Sequence, residues 1–505
     1  MENRFKKLKI NSFVAICYQI LLIACGLLLP RCYLRFYGSE TNGLLSSIAQ
    51  FLSFINICDL GISAVVASAY YEPLAENNTV QISRIFNYSK HFFRKICYIL
   101  LGYLLILLFL FPSLLSDQFS PFFTACLILS MCVSYFAQYF IGNTYQVLLN
   151  ADQKSYIQLG INGITLFLST LLSVILMVTG CSIQIVKLVS AIIYLFRPIG
   201  MMLYVKSHYT IDYHLHASPD VIPHKNSGII QHLAYMIYEN TDIAVLTIAS
   251  SLSNVSIYSV YALILGSIRN IITSSITGFQ ALFGNIIAKN ESDLLQSSFS
   301  FYNWLINSLC SFFFTITGIL ILPFVKIYTA NINDAQYSVP LFAFILTLAY
   351  GIACVRNGLF NLIRAAGHYR QTQSASLIEA FLNLGLSVFL VIRFGLVGVA
   401  LGTLLSAIYF TIFETVYLSR HIVKWPIKNF LKQYGINLSS ILAMLSLSLW
   451  VPVSSHNIFL WIISAMQVSV LCFLGFLLVQ LAFRFNETKT LFLSLVSRFY
   501  SKKKK

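Results

Sequence analysis

Charge is what this sequence has least of. Asp, Glu, Lys and Arg make up 10% of its 505 residues, against roughly 25% in ordinary globular proteins. So few charges cannot cover a surface that faces water, so the soft prior of about three soluble domains for this length does not apply. Paired cysteines are also missing. There are eleven Cys and no CxxC, and Cys17, Cys25, Cys126 and Cys310 lie inside apolar runs. They read as small buried hydrophobes, not as disulfides or metal ligands. No GxxxxGK[ST] loop occurs, which excludes ATP-driven export by this chain alone. Strict apolar/polar alternation is absent, so strands of a membrane barrel are not expected.

What is present is hydrophobic bulk: 58% apolar residues, with 41 Phe and 29 Tyr, and a mean hydropathy of +0.77. A span needs about 20 mainly apolar residues. Fourteen stretches qualify, at 12–35, 43–69, 91–112, 121–149, 156–179, 182–204, 228–250, 258–288, 299–328, 336–364, 373–393, 397–418, 432–452 and 457–483. The expected fold is an all-α polytopic membrane protein. The first stretch has a basic start but no clear small-residue cleavage site, and is read as a span rather than a removed signal.

The net charge is +16, from 33 Lys and Arg against 17 Asp and Glu. In a soluble protein that balance would suggest nucleic acid. Here it is the bias of cytoplasmic loops toward Lys and Arg, and no nucleic-acid partner is expected. With the N-terminus inside, most basic residues fall in inner segments, including Arg4, Lys6, Lys7, Lys9, Arg84, Lys90, Arg94, Lys95 and the tail Lys502–Lys505. The expected outer loops hold no Lys or Arg of their own. An even number of spans puts both termini on the cytoplasmic side. A multi-pass protein of a bacterial inner membrane is expected.

The segment from Leu148, LLNADQKSYIQLGINGITLFLSTLLSVIL, parallels the one from Leu362, LIRAAGHYRQTQSASLIEAFLNLGLSVFL. Each passes through a short turn into a span with Asn in its first half. The offset is six spans. The expected organisation is an N-terminal six-helix lobe over 1–205, a cytoplasmic linker over 206–227, a second six-helix lobe over 228–420, and two further helices with a basic tail over 421–505. Repeats with a site at their interface are a common transporter plan.

Three runs carry a resemblance. YGSETNGLLSSIAQFLSFINICDLGISAVVASAYYEPLAENN (Tyr37–Asn78) resembles the second helix of polysaccharide repeat-unit flippases. TDIAVLTIASSLSNVSIYSVYALI (Thr241–Ile264) resembles their seventh and eighth helices. GHYRQTQSASLIEAFLNLGLSV from Gly367 and FGLVGVALGT from Phe394 resemble their tenth-to-twelfth helix region. Those flippases belong to the multidrug/oligosaccharidyl-lipid/polysaccharide exporter superfamily. The resemblance implies alternating access by two six-helix lobes around a central cavity. It implies a polyprenyl-diphosphate-linked oligosaccharide as cargo, moved from the cytoplasmic to the outer leaflet for cell-surface polysaccharide synthesis. A polysaccharide polymerase and glycosyltransferases are the implied partners, together with membrane lipids. By position, spans 13 and 14 correspond to helices that border a lipid-tail groove in related flippases.

Ionisable groups at membrane depth are costly, so each is a functional candidate. Arg269 is eleven residues into its span, roughly 16 Å deep, with Thr273, Thr277 and Gln280 on the same face. A guanidinium suits a diphosphate, or it could clamp Glu239 or Asp242. Arg31 follows Pro30, which could open the helix locally. It is a cavity candidate, while Arg35 is expected to snorkel. Arg356 could meet the diphosphate or pair with Glu379. Lys187 and Arg197 could extend a cationic lining. Asp59 shares a face with Asn56 and Ser63. It could carry a coupling H+ or Na+ or pin a neighbouring helix, and Glu239 and Asp242 are coupling or structural carboxylates on the same reasoning. No catalytic residue, metal ligand or cofactor is expected. The histidines His208, His214, His216 and His224 read as solvated. The rival readings are a multidrug exporter of the same superfamily and a membrane polysaccharide polymerase or ligase. The expected outer loops hold only Glu40, Asp117, Asp334 and His456 as ionisable groups, which argues against enzymology on that face.

Overall fold

A backbone in lipid must satisfy its own hydrogen bonds, and this chain does so with helices. The computed structural model describes residues 2–59, 62–116, 118–215, 229–276, 278–455 and 457–485. Among them are α1 (Glu2–Ser53), α2 (Ile62–Ala69), α3 (Tyr71–Ala75), α4 (Thr79–Leu114), α5 (Pro121–Ala137), α6 (Asn143–Ala151), α7 (Ser155–Val178), α8 (Ile183–His208) and α9 (Ile229–Ala249). They continue as α10 (Leu252–Ile276), α11 (Gly278–Ala288), α12 (Ser292–Tyr328), α13 (Pro340–Ala365), α14 (Tyr369–Phe394), α15 (Leu396–Tyr417), α16 (Ile427–Ser448) and α17 (Ile458–Phe483). Eleven helical segments of the described residues are long and apolar enough to cross a membrane. The division of α1 at Gly38, with the more polar α9 and α16, completes the fourteen spans. The tail Lys502–Lys505, His216, His224 and Thr277 lie outside the described residues.

The first two spans part at Gly38, not at Pro30. Pro30 sits inside a helix that continues through it, whereas Gly38 has φ 83 and ψ 174, a region closed to side chains with a Cβ. Polar side chains cap other helix starts. Asn78 accepts from the Gln81 amide at 3.1 Å, and Ser120, ahead of Pro121, accepts from the Phe123 amide at 3.3 Å.

The chain forms two compact units, residues 1–256 and 257–505, so α9 packs with the first. The core of the first unit includes Leu44, Ile48, Leu52, Tyr70, Phe86 and Phe93. In the second, Leu320, Met444, Val468 and Cys472 join α12 to the last two helices, α16 and α17.

The two matched segments turn with the same backbone geometry, a common helix cap that also follows α7 and α11. After α6, the amides of Asp152, Gln153 and Lys154 donate to Leu148, Asn150 and Leu149 carbonyls at 3.0, 3.1 and 2.8 Å. After α13, Ala366, Gly367 and His368 donate to Leu362, Arg364 and Ile363 at 2.9, 3.0 and 3.2 Å. Gln153 (φ 57) and Gly367 (φ 71) occupy the same left-handed position. Both helices end in one capping pattern, which turns the chain sharply into the next span.

Close helix packing in the first unit depends on Gly43. A Cβ there would overlap the Leu252 backbone carbonyl. Small residues allow such approaches in membranes. Gly43→Ala is expected to lower stability by about 1–3 kcal/mol, the usual cost of forcing extra volume into a packed site. A melting curve of the purified protein in detergent checks this, and an unchanged midpoint would show that the two segments can separate at no cost.

Candidate functional site

In the first unit, α1, α7 and α8 present a face of cations and aromatic rings. The Lys187 ammonium lies 4.3 Å from the centre of the buried Tyr33 ring. The Arg197 guanidinium lies 3.9 Å from the Tyr194 ring centre, and its Nε donates to Thr165 Oγ1 at 2.9 Å. Among the described residues neither cation is in an ion pair. A ring face stabilises a cation by its quadrupole without cancelling the charge. These two positions therefore keep positive charge available at membrane depth. Arg31 and Arg35 are exposed on α1.

A polar seam runs along the part of α1 that follows Gly38. Asn42 donates to Ser256 at 2.8 Å, and Ser47 and Thr247 share a hydrogen bond at 2.7 Å. Gln50 donates to Asn240 Oδ1, and Ser53 donates to the same oxygen at 3.1 Å. Beyond Ser53 the α-helix tightens to a 3-10 turn, Phe54–Asp59. There Asp59 accepts from Ser63 at 2.8 Å, and Asn56 accepts from Tyr139 at 2.6 Å. Of the face predicted for Asn56, Asp59 and Ser63, Ser63 joins Asp59, while Asn56 is held by Tyr139 from the turn after α5. On α9, Asp242 is buried and Glu239 half-buried.

In the second unit the Arg269 guanidinium lies 5.4 Å from the Tyr350 ring centre, and Thr273 donates back to the Arg269 carbonyl at 2.9 Å. Arg356 is buried and in an ion pair with Glu379. Its other terminal nitrogen donates to Asn357 at 2.9 Å. Of the two roles open to Arg356 in the sequence, the structure realises the pair with Glu379.

Beside these groups lies an apolar cavity of about 590 Å³ between α12, α13, α15 and α16. Phe314, Thr347, Gly351, Ile412 and Ile441 line it, with Asn307, Thr411 and Tyr434 supplying polar atoms. Buried amides hold the wall in place: Asn437 donates to Asn307 at 3.0 Å and Gln433 to Asn437 at 3.1 Å. Trp304 donates to Gln480 of α17 at 2.9 Å. Span 13 thus borders the cavity, while α17 braces span 9 and contributes no described wall residue.

The chain resembles a solved structure of the lipid II flippase MurJ in an inward closed conformation, with a TM-score of 0.64 over 94% of this chain and 98% of that one, at 16% identity. At that identity the likeness is one of fold. An inward-facing multidrug resistance MATE family transporter of the MOP superfamily superposes at a TM-score of 0.58, covering 81% of this chain and 98% of that one, at 13% identity. A MOP superfamily transporter from Pyrococcus furiosus, described as having a binding pocket of reverse polarity, gives 0.52 over 82% and 94% at 11% identity. No protein-family model and no curated protein sequence matches the chain.

The fold also brings out a residue that its sequence position did not mark. Glu414 of α15 is fully buried, and neither of its carboxylate oxygens has a hydrogen-bond partner. The charges of Arg356, Glu379 and Arg364 act on it. Five-residue π turns follow α5 at 138–142 and α15 at 418–422, and the second comes directly after this cluster. Such bulges mark functional sites in many helices. In the sequence Glu414 was one carboxylate near a helix end. Only the packing of α13 and α14 on α15 gathers these charges.

Outside the spans, the turn between α6 and α7 is latched. Tyr209 donates to Asp152 at 2.5 Å, Lys154 pairs with Asp152 at 2.8 Å, and Asn11 donates to the Gln153 carbonyl at 2.8 Å. Burial pushes the Tyr209 phenol well above its usual range, with the Asp152 carboxylate adding to the effect. It therefore stays a donor at any physiological pH.

Proposed function

We propose that the protein is a flippase for a polyprenyl-diphosphate-linked oligosaccharide, carrying it from the cytoplasmic to the outer leaflet by alternating access. The observation that carries this reading is the pair of embedded cations, Lys187 and Arg197, supported by tyrosines and without acidic partners. A site for organic cations calls for the opposite polarity. A diphosphate is the anionic group that such cations suit, and Arg269 of the second unit is proposed as a cargo contact in its own right. The apolar cavity beside α16 offers a place for a polyprenyl tail. Arg31 stays among the proposed cargo contacts, and Asp59, Glu239 and Asp242 among the groups proposed to carry a coupling ion or to hold the helices.

The test is a deletion strain of the source organism. Lipid-linked oligosaccharide should accumulate on the cytoplasmic leaflet while surface polysaccharide is lost. If units reach the outer leaflet but remain unpolymerised, the polymerase reading is correct. If neither pool changes while sensitivity to organic cations rises, the protein is a multidrug exporter.

A further inference from the structure

One face of α4 is built for something other than helix packing. Ser83, Asn87, Lys90 and Arg94 recur at i, i+4, i+7 and i+11, so they lie in one stripe. The segment after α8 is strapped across the start of that stripe. The Asp212 amide donates to Ser83 at 3.0 Å. The Asn87 side chain donates to the Asp212 and Leu215 carbonyls at 3.0 and 2.9 Å. Under the strap the Lys90 ammonium lies 5.1 Å from the Tyr213 ring centre, and Tyr213 meets Phe86 edge-on at 5.9 Å. One level deeper, the Arg94 guanidinium lies 4.9 Å from the Phe140 ring centre. Phe140 belongs to the π turn 138–142. The Arg94 Nε is buried without a hydrogen-bond partner. From α8, Lys206 lines a cavity of about 740 Å³ with Thr79, Ser83, Tyr209 and Tyr213. The charges of Arg94 and Lys206 both act on Lys90.

Lys90 thus stands within reach of two like charges, Arg94 and Lys206. Among the described residues none of the three is in an ion pair. The nearby carboxylates are engaged elsewhere: Asp212 accepts from the His214 amide at 2.9 Å, and Asp152 is held by Tyr209 and Lys154. Structural clusters of like charge carry a cost unless an anion offsets it. The strap and the ring supports hold Lys90 and Arg94 in place rather than letting them splay into water. We propose that Lys90, Arg94 and Lys206 form a binding site for a phosphoryl anion at the basic end of the first unit. Basic pockets between spans take phospholipid head groups, and the same donors would take free phosphate or pyrophosphate. The site shares no residue with the proposed cargo contacts, so it stands or falls separately from the flippase reading.

The experiment uses the full-length protein in nanodiscs and reads the melting midpoint. One arm compares phosphatidylcholine with and without phosphatidylglycerol. A second adds inorganic phosphate or pyrophosphate to phosphatidylcholine discs. The variant Lys90→Gln/Arg94→Gln/Lys206→Gln is compared with Lys424→Gln/Lys428→Gln/Lys432→Gln, which removes three exposed charges elsewhere. A phosphoryl anion should raise the wild-type midpoint. The site variant should bind it roughly a hundredfold more weakly, at about fivefold per basic side chain, while the control variant keeps the shift. A shift with the lipid alone identifies a head group, and a shift with the soluble ions identifies free phosphate. If the site variant does not fold, Lys206→Gln alone changes only an exposed side chain and should weaken binding about fivefold. The proposal is overturned if no phosphoryl anion moves the midpoint, or if the two triple variants lose it equally.

Discussion

Arg356→Ala is expected to remove most of the protein from the membrane fraction. Arg356 and Glu379 are 3% and 4% exposed, and Glu414 is fully buried. Deleting the guanidinium strands Glu379 beside a second buried carboxylate, Glu414. Breaking a buried pair in this way costs about 3–5 kcal/mol, a large share of the 5–15 kcal/mol that usually separates folded from unfolded chains. Immunoblots of membranes, with size-exclusion profiles of the solubilised protein, measure the loss. Arg356→Met with Glu379→Met should restore the level, because well-packed apolar residues often replace a buried pair at no cost. If Arg356→Ala accumulates normally and only export fails, the arginine acts on cargo and the pair is incidental.

Arg269→Ala should instead leave the amount of protein unchanged and abolish surface polysaccharide. Hydrogen bonds to charged groups contribute about 1.5–3 kcal/mol, so losing one such contact to a diphosphate slows loading by roughly tenfold or more. Arg269→Lys keeps the charge but loses the planar fork, so partial export should survive. The readout is surface polysaccharide per unit of membrane protein. A fall in protein level with Arg269→Ala would make this residue a structural clamp, as Arg356 is. Arg356 is buried with Glu379, and Arg269 lies half-buried with the Tyr350 ring beside it.

Much of the architecture can be read from the chain because lipid leaves so little choice. Where about 20 apolar residues run together the backbone must close its own hydrogen bonds, so the spans follow from hydropathy. The repeat at Leu148 and Leu362 was legible because capping geometry is local. The left-handed residue and the carbonyls it caps lie within six residues of each other. The contact of Asp59 with Ser63 was legible for the same reason, since the two lie only four residues apart. Gly38 falls in the gap between the first two expected spans, whereas the local opening expected at Pro30 does not occur. A proline can be carried within a membrane helix, whereas a φ of 83 requires a residue without a Cβ.

What the sequence could not determine depends on which distant helices meet. Lys187 lies on Tyr33 across more than 150 residues. Arg356 finds Glu379 on the next helix, and Glu414 joins them from a third. The strap at 209–215 covers a stripe on α4. Hydrophobic periodicity marks an apolar face but not its partner, and in lipid every apolar face is equally satisfied by hydrocarbon. The sequence by itself determined the helices, their turns and the scarcity of charge that makes each embedded cation informative. The tertiary structure alone decided which cations are neutralised and which stay available, because a charge at membrane depth takes its role from the groups packed within a few ångströms of it.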